Sequence, residues 1–128
     1  MAEFNGTQAA DTISGTNGDD VIMGLGGSDI INGAGGNDLI TGGGGAFDDD
    51  IDGGAGDDTI VLANGDEGTG SEVINGGDGD DLLITELATG DTLTLAAGGD
   101  TILTTGVDIS NVEMVQVSNA SDFMLTLG

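Results

Sequence analysis

The sequence predicts an all-β fold, a roll of short parallel strands stacked coil upon coil. Three observations predict it. A nine-residue unit recurs in register, most cleanly as Gly33-Ala-Gly-Gly-Asn-Asp-Leu-Ile-Thr41. Its first six positions are rich in glycine and aspartate, the residues of tight turns. Its last three are β-formers such as Thr-Ile, Val-Ile and Leu-Ile.

Met1–Asn5 precedes the frame and reads as a leader or a cloning scar. The first unit, Gly6-Thr-Gln-Ala-Ala-Asp-Thr-Ile-Ser14, has lost most of its glycines but keeps Asp11 and Ile13. Full units follow as Gly15-Thr-Asn-Gly-Asp-Asp-Val-Ile-Met23, Gly24-Leu-Gly-Gly-Ser-Asp-Ile-Ile-Asn32 and Gly33–Thr41. Gly42–Asp52 carries two extra residues, with Asp49 and Ile51 at the sixth and eighth positions. Gly53–Val61 is full, Leu62–Asn75 is stretched by five residues around Glu72, and Gly76–Ile84 is full again. The roll is therefore expected over residues 6–84. Residues 85–128 leave the frame. Within them Asp91–Leu95, Thr101–Thr104, Val112–Val117 and Phe123–Leu127 read as strands of a β-rich C-terminal cap, which shields the end of the core.

Side chains alternate sides along a strand, so position 8 faces one way and positions 7 and 9 the other. Position 8 reads Ile13, Ile22, Ile31, Ile40, Ile51, Ile60, Ile74 and Leu83, the predicted core. Two units make one coil, and coils stack at roughly 4.8 Å. Stacking alternate units sorts the turns onto two edges. One edge carries Asp20, Asp38, Asp58 and Asp81, all in intact hexapeptides. The other carries Asp11, Asp29, Asp49 and Glu72, together with both insertions. On the outer faces, Val21, Met23, Leu39, Val61, Leu82 and Ile84 make one sheet mostly apolar, which suggests either cover by the cap or self-association.

The chain holds no Lys, Arg or His against 24 Asp and Glu, a formal charge of −24 over 128 residues. Side-chain salt bridges are impossible, and stacked carboxylates must repel unless a cation enters. Calcium suits such a site, taking six to eight hard oxygen ligands in loose geometry. Magnesium demands a tight octahedron, and zinc lacks its usual His and Cys. The alternative is that these are plain solvated turns, but several units in register in a chain without basic residues argue against it.

The frame resembles G-G-x-G-x-D-x-U-x, the calcium-binding nonapeptide of the RTX (repeats-in-toxin) family. The resemblance implies a right-handed parallel β-roll in which each ion sits between two stacked turns, held by position-6 aspartates and loop carbonyls. Carried onto this sequence, the ligands are Asp20, Asp38, Asp58 and Asp81 on the regular edge and Asp11, Asp29 and Asp49 on the other. Asp19, Asn37, Asp57 and Asp80 at position 5 are auxiliary ligands. Glu72 departs from the pattern. About three to six calcium ions are expected from the ligand count each needs.

No His, Cys, Lys or Tyr offers a base or nucleophile, so no enzyme is expected. Nucleic acid and anionic membranes attract basic patches and are poor partners, and no apolar run is long enough to span a bilayer. The leading expectation is a secreted, extracellular or cell-surface protein that folds on calcium. It would be a matrix, surface-layer or filament subunit that self-associates through the apolar face or the roll ends. The absence of a basic, then apolar, N-terminal stretch and the run Ser121–Leu127 resemble type I secretion cargo. The alternative is a C-terminal RTX folding and secretion module of a larger enzyme, toxin or adhesin.

Overall fold

Where the nonapeptide is intact, a half-coil is a glycine-rich bend followed by a strand of three to six residues, because the bend needs backbone freedom and the strand needs one inward apolar side chain. The computed structural model describes residues 1–43, 47–62, 73–85, 92–95, 101–104, 114–117 and 124–127. Glu72, residues 121–123 and the connections of the C-terminal segment lie outside the described residues.

The strands are β1 (Ala2–Asn5), β2 (Thr12–Ser14), β3 (Asp20–Leu25), β4 (Ile30–Asn32), β5 (Leu39–Gly43), β6 (Asp50–Ala55) and β7 (Thr59–Val61). They continue as β8 (Val73–Asp78), β9 (Leu82–Thr85), β10 (Thr92–Leu95), β11 (Thr101–Thr104), β12 (Met114–Val117) and β13 (Met124–Leu127). Odd strands form one seven-stranded sheet in the order β1-β3-β5-β7-β9-β11-β13, and even strands form a six-stranded sheet in the order β12-β10-β8-β6-β4-β2. Every pairing among them is parallel. The chain is thus an all-β roll, as the repeat predicts.

Register follows position 8. Ile22, Ile40, Ile60 and Leu83 are successive partners in one sheet. Ile13, Ile31, Ile51 and Ile74 are successive partners in the other. All but Ile13 are buried, and Ile13 and Phe4 pack partly buried against the cluster. Complete burial of an Ile or Leu side chain contributes roughly 1.5–3 kcal/mol, so this double column is the main apolar support of the fold. The extra residues do not disturb it. Equivalent aspartates lie 18 residues apart in the regular part, 20 across the first insertion and 23 across the second, yet make the same bond.

Two features extend the core beyond the position-8 column. Leu62 is buried with it, although it opens the stretched unit where the frame has glycine. Residues 2–5, set apart by the sequence, form β1, which pairs Phe4 with Ile22 and Ala2 with Asp20. Toward the other end, β10 pairs with β8 and β11 with β9, and β12 and β13 add to these. The described C-terminal strands therefore prolong both sheets edge to edge.

Candidate metal centre

The carboxylates gather on the edges because position 6 ends each bend and its side chain turns inward beneath the strand. Asp20, Asp38, Asp58 and Asp81 on one edge, and Asp29 and Asp49 on the other, are all at most 5% exposed. Asp11, in the degenerate first unit, is half-buried. The position-5 residues Asp19, Asn37, Asp57 and Asp80 are exposed. The position-6 aspartates thus form two inner columns, and the position-5 residues form an outer one.

A ladder of hydrogen bonds runs down each inner column. The Asp20 amide donates to Asp38 Oδ1 at 2.8 Å, Asp38 to Asp58 at 2.8 Å, and Asp58 to Asp81 at 2.9 Å. On the other edge Asp11 donates to Asp29 at 2.8 Å and Asp29 to Asp49 at 2.9 Å. Ala2 donates to Asp20 Oδ1 at 2.9 Å, standing where an aspartate would. The outer ladder runs the opposite way. Asn37 donates to Asp19 Oδ1 at 2.9 Å, Asp57 to Asn37 Oδ1 at 3.1 Å, and Asp80 to Asp57 Oδ1 at 3.0 Å. Oδ1 of Asp20, Asp29, Asp38, Asp49, Asp58 and Asp81 is therefore used by the backbone.

Oδ2 is different. Asp29, Asp38 and Asp58 each hold a buried Oδ2 with no hydrogen-bond partner. A buried charged oxygen left unmatched costs on the order of 1–3 kcal/mol or more. Position 1 supplies a second oxygen at the same place. A Cβ added to Gly33 would collide with both Asp38 Oδ2 and the Gly53 carbonyl oxygen. Gly53 stands likewise before Asp58 Oδ2 and the Gly76 carbonyl, and Gly24 before Asp29 Oδ2 and the Gly42 carbonyl. Among the described residues no three acidic side chains converge on one point. An ion here would therefore draw on one or two carboxylates and several backbone carbonyls, a donor set of hard oxygens that fits calcium.

Burial pushes the Asp58 carboxyl up to about 7; the Asp38 amide opposes this, and the negative charges of Asp81, Asp38 and Asp57 add to it. Burial also raises Asp38 and Asp29, each with a further push from neighbouring aspartates. Asp20 moves the other way, chiefly because the Thr16 amide bonds its carboxylate.

The model of the RTX calcium-binding nonapeptide repeat matches residues 5–40, 44–66 and 68–87 in four copies, more than half of the chain. The chain belongs to the RTX family. No curated protein and no solved structure matches it. The RTX repeats mark the protein as a calcium-binding β-roll, and the paired oxygens before Gly24, Gly33 and Gly53 fit that ion. Calcium would supply the positive charge that no side chain of this chain can.

Sequence reasoning missed one division within the RTX column. Asp11 and Asp20 do not share the unmatched Oδ2. Thr16 donates to Asp20 Oδ2 through its amide at 2.6 Å and its hydroxyl at 2.9 Å. Thr7 bonds Asp11 Oδ2 in the same way. The signal was present as a Thr four residues before the aspartate.

Proposed function

We propose that this RTX chain is a calcium-dependent folding module that works outside the cell. The observation that carries it is the set of unmatched buried oxygens on Asp29, Asp38 and Asp58 in a chain without a cationic side chain. Calcium is held by the turns of Asp29, Asp38, Asp49, Asp58 and Asp81 with carbonyls of the glycine loops, and Asn37, Asp57 and Asp80 assist from position 5. At low calcium the columns repel and the chain stays open. At the higher calcium of the extracellular medium the rungs close. The role is structural rather than catalytic, as a matrix, surface-layer or filament subunit. Its support for self-association is a hollow between β1 and β2 that Phe4 and Ile13 line with Glu3 and Asp11.

Circular dichroism and light scattering during a calcium titration test both levels. The expected result is a gain of β signal with calcium, a much weaker gain with magnesium, and growth in particle size as the rolls stack. An unchanged β signal contradicts calcium-dependent folding. Folding to a lasting monomer contradicts the self-associating role and favours a folding module within a larger secreted protein.

A further inference from the structure

The second position of each turn takes one of two conformations. Leu25 and Ala34 have φ of 81° and 78°, and Gly43, Gly54 and Gly77 also have positive φ. Thr7 and Thr16 occupy the same position with negative φ. The amide of residue 34 turns away from its aspartate and donates to Asn32 Oδ1 at 2.8 Å. Asp38 Oδ2 is then left without a partner. The Thr16 amide turns inward onto Asp20 Oδ2. Its hydroxyl donates to the same oxygen while accepting the Gly18 amide at 3.2 Å. Thr7 repeats the arrangement with Asp11 and Ala9.

A carboxylate oxygen has two lone pairs. On Asp20 Oδ2 both are taken by Thr16. On Asp38 and Asp58 both lone pairs of Oδ2 are unused. We infer that threonine at the second position closes a turn to metal, so that the turns of Thr7 and Thr16 stay metal-free and calcium uptake begins at Asp29 and Asp38. This rests on the calcium-binding reading above. The chain thereby builds two rungs that hold their carboxylates by internal hydrogen bonds instead of by an ion. In this arrangement Thr16 decides occupancy without being a ligand itself.

The test uses the full chain. Ion stoichiometry at saturating calcium is read by native mass spectrometry for the wild type, Thr16→Gly and Thr16→Ser. Glycine accepts the positive φ of an open turn, and the altered hexapeptide keeps Asp20. The expected result is one additional ion for T16G and none for T16S, whose hydroxyl keeps the turn closed. Equal stoichiometry for all three overturns the proposal. A second measurement needs no variant. Scalar couplings across the hydrogen bonds from the Thr7 and Thr16 amides to the Asp11 and Asp20 carboxyl carbons should persist at calcium saturation. Their loss on adding calcium overturns the closed turn, while a wild type that binds no calcium at all removes the calcium reading itself.

Discussion

At the scale of single residues, glycine at position 1 is a steric requirement, and the two oxygens it faces are the reason. Gly33→Ala drives a methyl group into the Gly53 carbonyl and Asp38 Oδ2, neither of which can retreat without moving a rung. We expect a loss of about 1–3 kcal/mol, read by urea unfolding at fixed calcium. Gly18→Ala is the control. Its added carbon meets only Thr16 Oγ1 at 4.0 Å, so a change within about 0.5 kcal/mol is expected. The carboxylates make a second prediction, for the metal-free protein. Asp58 titrates at about 7 in the fold and at about 3.9 in the unfolded chain. Between those values the fold holds a proton that the unfolded chain has lost, so stability is fullest below the lower value and falls as pH rises through the upper. Asp29 and Asp38 push in the same direction, and Asp20 opposes them. Without calcium, β signal should therefore be greater at pH 5 than at pH 8. With calcium the order reverses, because protons compete with the ion for the same oxygens.

At the scale of the strand, one inward side chain per half-coil decides register. Ile40 is completely buried between Ile22 and Ile60. Ile40→Ala should cost about 2–5 kcal/mol in calcium-loaded protein, measured by thermal or urea unfolding. Val73→Thr on the outer face, at a site 44% exposed, should change stability little. This column was legible in the sequence because the nine-residue period puts Ile at the same place in every strand, and insertions fall in bends where they leave the pairing intact. Leu62 was not legible, because it opens a stretched unit at a place that the frame gives to glycine. Nor was β1, since Ala2 and Phe4 replace the aspartate and isoleucine of the frame and no glycine bend precedes them. Its place emerges only from the pairing of Ala2 with Asp20. The two edges of position-6 aspartates could be read from the repeat, because alternate units stack. The opposed direction of the inner and outer ladders could not, because it depends on which way each peptide turns.

At the scale of the molecule, charge governs the fold. Rungs spaced at about 4.8 Å put neighbouring carboxylates where each pair repels by roughly 3–4 kcal/mol at an effective dielectric of 20. Hydrogen bonds from the backbone offset part of this through Oδ1, and Thr7 and Thr16 offset more at the first two turns. The unmatched Oδ2 atoms of Asp29, Asp38 and Asp58 remain. Monovalent salt screens the exposed position-5 column but reaches the buried columns poorly. Sodium chloride at the ionic strength of a folding concentration of calcium should therefore recover little β signal, as followed by circular dichroism. The most direct measurement is a crystal structure grown in calcium, with the ions located by their anomalous scattering. Calcium should be found bonded to Oδ2 of Asp29, Asp38 and Asp58. Intact rungs with those three oxygens bare of metal would contradict it.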